Sequence, residues 1–400
     1  MLLQQQPQQQ QNEDFHLPDV YAISLQEIVP LNAVNILMSA SETLAAMESW
    51  TQVFLDILNA NEESVAFSLL DRVAVVGTCL IVFVRSQHLL DAQTIDMDTV
   101  LSSSLNLGQL YTGNKAAVAV RVRVYDRTLC FVSVHFCAHR GTTAALTRTE
   151  HMTYTVQQLA FYGCVETQRP EHRSVCSGTE EALLLEQESV VMPASLEVGD
   201  HDLVVLMGDL NSRMLENINH ERVWSIVNAW GGTASGVGVD HAGAAETMIS
   251  WDELWSEPMA STLRNLRFQE GQVTFAPTYK LTPGSSKYHV PSTEKPKKVF
   301  NHCPAWCDRV LYAVRSGVGC TQSKYMSAPV FMSDHLPVYS VFELEKVKSS
   351  EEGGGGSGSA GEESKASEVR TEEARVKSLK FVRMKSANHG MCGGGECNVM

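Results

Sequence analysis

Three short polar segments constrain this chain more than any other feature. They are GDLNSRM at 208–214, PAWCDRVL at 304–311 and SDHLPV at 333–338. Each follows or precedes an apolar run, so Asp209, Asn211, Asp308, Asp334 and His335 stand where strands open into loops. A packed core has no use for carboxylates, whereas loops at strand ends carry function. Polar segments drawn from such distant points read as one active site, and they require a sheet whose strand ends converge.

The rest of the body supplies that sheet. Residues 19–25 form a buried strand leading into Gln26 and Glu27, and 41–59 carry helical spacing of Leu44, Met47, Trp50, Phe54, Leu55 and Leu58. Apolar β-rich runs at 73–76 and 80–84 break at Gly77-Thr78. Residues 118–125 and 129–135 read as a hairpin about Asp126-Arg127, and 148–159 as a helix. The run 203–207 suits the middle of a sheet, with further strands at 309–314 and 338–343. Two stretches, 166–200 and 231–249, are rich in small and polar residues and read as surface insertions. The alternation predicts one large α/β domain with two sheets packed face to face between helices.

With 44% hydrophobic residues, 400 residues can bury a large core. A formal net charge of −15 argues against broad nucleic-acid binding, which needs an excess of Lys and Arg. The ten cysteines form no C-x-x-C pair. Without a secretory signal at the Gln-rich start they read as reduced thiols of a cytosolic protein. No apolar run approaches the roughly 18 residues that span a bilayer.

Several side chains could carry chemistry. The turn at Gly208 presents Asp209 and Asn211, a carboxylate able to take a proton from water and an amide able to hold a phosphate oxygen. The same pair also suits a turn cap. Asp308 beside a histidine holds an imidazole in place, while Trp306 reads as packing and Arg309 as a structural salt-bridge partner. Adjacent in an extended segment, Asp334 and His335 face opposite ways. Glu27 suits a hard divalent cation, or an ordinary helix-start acid. His135 fits a core histidine or a phosphate ligand. Lys287, Lys295, Lys297 and Lys298 precede PAWCDRVL and form a basic patch in an acidic chain.

These motifs together resemble the inositol polyphosphate 5-phosphatases of the exonuclease–endonuclease–phosphatase superfamily. The similarity extends through PDVYAISLQEI (18–28), GNKAAVAVRV (113–122), FVSVHFCAH (131–139) and FQEGQVTFAPTYK (268–280), and covers residues 18 to 345. It implies a DNase-like α/β four-layer sandwich, two packed mixed sheets flanked by helices. It also implies Mg²⁺-dependent hydrolysis of the 5-phosphate of inositol polyphosphates or phosphoinositides. By resemblance Glu27 and Asp334 bind the metal, and Asp209 with Asn211 prepares the attacking water. His335 (held by Asp308) and His135 stabilise the scissile phosphate, and Tyr279, Lys280, Lys295, Lys297 and Lys298 recognise the neighbouring 4-phosphate. Family members carry an earlier strand with a Trp-Asn element that nothing upstream of Asp19 matches, which reads as an N-terminally incomplete sequence. Competing expectations are a nuclease or sphingomyelinase of the same superfamily, and an inactive membrane-tethered scaffold.

Composition divides the chain into a Gln-rich segment (1–16), the catalytic domain (17–347), a Gly/Ser/Glu linker (348–369) and a basic tail (370–400). The tail ends Cys397-Asn398-Val399-Met400, a C-a-a-X pattern that favours farnesylation. Residues 375–385 hold five basic side chains and no acidic one. A lipid plus a basic segment predicts stable attachment to the cytosolic face of a membrane.

Overall fold

A computed structural model describes residues 17–29, 40–60, 65–75, 77–101, 115–138, 140–162, 195–230, 232, 234, 242–290, 303–345 and 378–382. Lys295, Lys297, Lys298, the linker 348–369 and Cys397 lie outside the described residues.

The apolar run after Asp19 becomes strand β1 (Val20–Leu25), buried at every position. Helix α1 (Ala40–Leu58) lays Met47, Trp50, Phe54, Leu55 and Leu58 over Tyr21, Ile23 and Leu25 of that strand. Leu44, counted on the same helical face, is outside this cluster and exposed. The two runs broken at Gly77 are strands β2 (Phe67–Val75) and β3 (Thr78–Arg85). They are joined through a left-handed glycine (φ 82°).

Strand β4 (Ala92–Leu101) is followed by the hairpin of β5 (Ala116–Val124) and β6 (Arg127–His135). The hairpin turns at Tyr125-Asp126, one residue earlier than its sequence predicts, because Tyr125 takes the positive φ of 52°. Helix α2 (Thr142–Gln158) starts six residues before the expected 148. A small pair, β7 (Ala160–Tyr162) and β8 (Ser195–Glu197), precedes the central strand β9 (Leu203–Asp209).

Helices α3 (His220–Ala229), α4 (Ala242–Ile249) and α5 (Met259–Asn265) follow. The stretch 231–249 is therefore more than a surface insertion. Ala245 and Met248 of α4 are fully buried in the main core. Strands β10 (Gln269–Glu270), β11 (Asp308–Val314), β12 (Cys320–Ser327), β13 (Val338–Glu345) and β14 (Ser378–Val382) complete the described elements.

The strands form two six-stranded sheets, ordered β12-β13-β14-β1-β3-β2 and β10-β11-β9-β6-β5-β4. Both are mixed: β1 runs parallel to β14, and β6 to β9, among otherwise antiparallel neighbours. Their inner faces meet through Val20, Ala22, Leu80 and Val82 on one side and Val118, Val120, Phe131, Val205 and Met207 on the other. The second sheet's outer face (Ala119, Val132, Leu206) is covered by Met152 of α2 and by Met259 and Leu263 of α5. Helix, sheet, sheet, helix is the expected four-layer sandwich. Each fully buried aliphatic side chain in it contributes about 1.5–3 kcal/mol.

Beneath the second sheet, burial pushes the imidazole of His151 down to about 4, with Lys115 and Arg148 acting in the same direction. Its Nδ1 has no partner among the described residues, and its ring packs edge-on to Phe136 at 5.7 Å. A folded pKa below the unfolded one means the unfolded chain binds the extra proton. Stability is then full above about pH 6.5 and falls as pH drops toward 4, by up to ~3 kcal/mol. Urea melts of the wild type and of His151→Phe across pH 4–7 test this. The variant is expected to lose less stability in that window.

Candidate active site

Three strands of the second sheet end side by side. Register pairs His135 of β6 with Asp209 of β9, and Asp209 with Asp308 of β11. Residues from three distant parts of the chain thus form one row along a sheet edge. Ala116 of β5 continues the row beside His135, which brings Lys115 to it. The first sheet adds Glu27, just past β1, and His335, just before β13.

The local sequence explains the close approach. Gly208 has φ 151°, and a methyl group there would overlap the carbonyl oxygen of Val134 on the neighbouring strand. Only glycine lets β9 lie so tightly against β6. Beyond it Asn211 adopts φ 53°, a conformation asparagine tolerates, and Glu27 adopts φ 56°, which glutamate rarely does. Strained backbone of this kind gathers where a site requires it.

Two groups of side chains face one another across the row. In the first, Lys115 Nζ lies 2.6 Å from His135 Nε2. That nitrogen is also 3.6 Å from Asp209 Oδ2 and 3.7 Å from Glu27 Oε1. Burial pushes the Lys115 ammonium below its ordinary range, against the pull of Asp209 and Glu27. In the second group, His335 Nδ1 is 2.8 Å from Asp308 Oδ2, and the same oxygen accepts from Thr278 Oγ1 at 2.8 Å. Asp308 is fully buried while His335 reaches the surface, so the carboxylate fixes the ring and leaves Nε2 free to meet a ligand. One ligand atom from each of Asp209, Asp308 and His335 lies within 4.8 Å of the others.

Asn211 holds the turn rather than projecting from it. Its backbone N–H donates to Asp209 Oδ1 at 2.9 Å and its Nδ2 to the Phe136 carbonyl at 3.0 Å. Its Oδ1 accepts from the buried Arg213. Arg213 stacks on the Tyr279 ring at 4.2 Å, and that ring lies 4.7 Å from the His335 ring. Tyr279 is thus mostly buried and shapes the wall beside His335. Lys280 pairs with Asp334 at 3.0 Å, both partly exposed. Burial alone would lower the Lys280 ammonium, but Tyr279 and Asp334 together hold it above its ordinary value. Burial likewise opposes the ionised form of Asp334, and His335 and Lys280 overcome it to hold the carboxyl below the usual range. The proposed metal pair is therefore placed in different groups, Glu27 with His135 and Asp334 with Lys280.

A buried arginine braces the site from below. Arg309 makes a two-pronged pair with Glu270 (2.6 Å each) and a third bond to Asp252 at 2.7 Å. Asp252 in turn accepts from Ser212 and the Leu254 N–H, which ties the loop after Asp209 to the sheet. This is the salt-bridge role its sequence predicts. Trp306 is fully buried and donates to the Phe275 carbonyl at 2.9 Å, as packing requires.

Lys115, Arg213 and Thr278 belong to the site but are not among the residues that sequence reasoning singled out. Lys115 sits directly before an apolar strand, and that position beside a strand-end histidine is the signal that could have found it. Lys287 is exposed.

The donor set suits a hard divalent cation, which takes oxygen ligands. The carboxylates of Asp209 and Asp308 stand side by side on the second sheet, Glu27 approaches His135 from the first, and the cluster of Asp209, Asp308 and His335 is compact enough to share one ion.

Comparison with known proteins gives the family and the fold. The family model described as Endonuclease/Exonuclease/phosphatase family 2 matches residues 2–341. The chain belongs to that family. Similar curated proteins include synaptojanins and inositol polyphosphate 5-phosphatases. Synaptojanin of Caenorhabditis elegans is 29% identical over 340 residues, 84% of this chain and 24% of that protein. Type II inositol 1,4,5-trisphosphate 5-phosphatase of Mus musculus is 26% identical over 328 residues, 82% of this chain and 27% of that protein. The chain spans about a quarter of the length of these two relatives. The inositol polyphosphate 5-phosphatase domain of SPsynaptojanin, solved with inositol (1,4)-bisphosphate and a calcium ion, superposes with a TM-score of 0.58. It shares 24% identity over 82% of this chain and 75% of that one, and supports the fold.

Proposed function

We propose that this chain is a phosphoric monoester hydrolase that removes the 5-phosphate of an inositol polyphosphate or phosphoinositide, with Mg²⁺ as its cofactor. The observation that carries the reading is the row His135–Asp209–Asp308 with His335 held on Asp308. Phosphoryl transfer needs positioned charge more than covalent chemistry. Asp209 accepts a proton from the attacking water as the water oxygen bonds to phosphorus. His335 and His135, with Lys115 behind it, offset charge on the phosphoryl oxygens. The bond from phosphorus to the inositol oxygen breaks, and that oxygen leaves with a proton. Glu27, Asp209 and Asp308 are the groups that would hold Mg²⁺. When bound, it adds a Lewis acid that polarises a phosphoryl oxygen.

Lys280 provides positive charge next to this row, set by its pair with Asp334. We assign it, with Tyr279 as the wall beside it, to the phosphate adjacent to the one removed. Lys295, Lys297 and Lys298 join this assignment on their sequence position alone. Phosphate release from inositol 1,4,5-trisphosphate with Mg²⁺ tests the activity, and no release above a protein-free blank would refute it. Lys280→Ala is expected to raise KM for a substrate carrying the adjacent phosphate about tenfold, with a smaller change in kcat. An equal loss on a substrate lacking that phosphate would assign Lys280 elsewhere.

The tail extends the proposal to the membrane. Farnesylation at Cys397 together with the basic residues that flank β14 in sequence (Arg375, Lys377, Arg383 and Lys385) would hold the domain on the cytosolic face, near its lipid or a soluble headgroup. No described helix is long and apolar enough to cross a membrane.

A further inference from the structure

The loop that leaves His135 carries a cation that no acid holds. Two carbonyls of this loop lace it to the turn after Asp209. Phe136 O accepts from Asn211 Nδ2 at 3.0 Å and Ala138 O from Arg213 Nη2 at 3.4 Å. Two residues on, Arg140 is half-buried and reaches His220, the first residue of α3. Its terminal nitrogens lie 3.4 and 3.5 Å from the two ring nitrogens. A neutral imidazole accepts at one nitrogen only, and a charged one accepts at neither. The contact is therefore at most one long hydrogen bond, and it brings no negative charge.

A second cation stands beside the same loop. Arg213 is buried and bonds Asn211 Oδ1 and the Ala138 carbonyl through Nη2. Its Nε and Nη1 have no hydrogen-bond partner among the described residues. Among those residues neither arginine forms an ion pair. The acids whose charge reaches Arg140 are already engaged. Glu253 Oε1 is 2.5 Å from Arg148 Nε, and Glu216 Oε2 accepts from the Thr142 N–H at 3.0 Å and from its hydroxyl at 2.8 Å. Asp209, which reaches Arg213, serves the catalytic row. Burial lowers the Arg140 guanidinium, against Cys303, and Arg213 adds to the lowering. Burial and then Arg140 hold the His220 imidazole below its ordinary value. Cations withdrawn from water without a counter-charge are costly, and an anion removes that cost.

We propose that Arg140, His220 and Arg213 form an anion site beside the catalytic row. It takes a phosphate of the substrate other than the one removed and the neighbour assigned to Lys280. Arg140 offers its fork to two phosphate oxygens. His220 adds a ring N–H, and Arg213 supplies a fixed charge from the interior. The Tyr279 ring joins the two subsites, with Arg213 4.2 Å and Lys280 Nζ 5.5 Å from its centre. The identity of the anion rests on the functional reading above; the cluster of cations does not. Such a site favours a substrate with three phosphates over one with two.

Calorimetry on the full-length protein in EDTA reads binding without Mg²⁺-dependent turnover, with inositol 1,4,5-trisphosphate and inositol 4,5-bisphosphate as probes. Arg140→Ala is expected to weaken the trisphosphate about tenfold and to erase most of its advantage over the bisphosphate. Arg140→Lys keeps the charge without the fork and is expected to lose about half as much on a logarithmic scale. His220→Ala is expected to lose about threefold, and carries the test if a thermal melt shows Arg140→Ala to be unfolded. Glycerophosphoinositol 4,5-bisphosphate presents the third phosphate as a diester. A matching loss on it supports the site for a lipid headgroup, and a loss on the trisphosphate alone supports it for a free monoester. A wild type that binds the two first probes equally, or neither, would overturn the proposal, as would variants that weaken both by the same factor. A chain that binds the trisphosphate through Arg140 yet releases no phosphate with Mg²⁺ would refute the functional reading and leave the anion site standing.

Discussion

Asp209→Asn is expected to lower the rate of phosphate release about 10³-fold while leaving the fold intact. The substitution is nearly isosteric, and its remaining oxygen can still accept from the Asn211 N–H, so the turn after Gly208 keeps its shape. What disappears is the negative charge 3.6 Å from His135, on a carboxylate whose Oδ1 is held by the Asn211 N–H and which is placed to take a proton from water. Asp308 cannot substitute, because it is fully buried and occupied by His335 and Thr278. Steady-state phosphate release alongside a thermal melt separates the outcomes. A variant retaining more than a tenth of the wild-type rate would remove Asp209 from the role of base, whatever the melt shows.

Arg309→Met is expected to cost about 3–5 kcal/mol of stability and with it most of the activity. The side chain is fully buried and its three bonds to carboxylates set one positive charge between two negative ones, Glu270 and Asp252. Removing it leaves those charges buried without a cation, since their other donors are neutral: the Tyr325 and Ser212 hydroxyls, the Trp255 indole N–H and the Leu254 N–H. The damage also propagates to the site, as Asp252 ties down Ser212, three residues from Asp209. Urea denaturation measures the loss. A destabilisation below 1 kcal/mol would mean that the buried triad is replaceable by packing alone. Combining Arg309→Met with Asp252→Asn and Glu270→Gln is expected to recover part of the stability, because no buried charge is then left unpaired.

Much of this arrangement was legible in the residues. Continuous apolar runs marked β1 and β9 because strands buried on both faces need no polar alternation. Polar residues at the ends of apolar runs marked Asp209 closing β9, His135 closing β6 and Asp308 opening β11. The resemblance to the 5-phosphatases and the four-layer fold it implied are shown by the family match and by the solved neighbour. Edge strands were harder. β12 is built on Thr, Gln, Ser and Lys, which an edge tolerates and a pattern reading takes for loop. Helix α4 was hidden by its run of small residues, which carries little apolar periodicity, although Ala245 and Met248 are buried. Within the site, the division of Glu27 and Asp334 between two groups depends on Lys115 and Lys280. Neither lysine's partner is set by sequence spacing. Strand β14 was least visible, since five residues within a basic tail gain their meaning only from the two strands that receive them.

The most direct test of the account is the position of the phosphate that leaves. Phosphorus NMR of inositol 1,4,5-trisphosphate incubated with the full-length protein and Mg²⁺ resolves the three phosphates. The account predicts loss of the 5-phosphate signal, with the 1- and 4-phosphates retained, and no such loss with Asp209→Asn. Release of the 1- or 4-phosphate first, or loss of the 5-phosphate at the same rate in the variant, would contradict it.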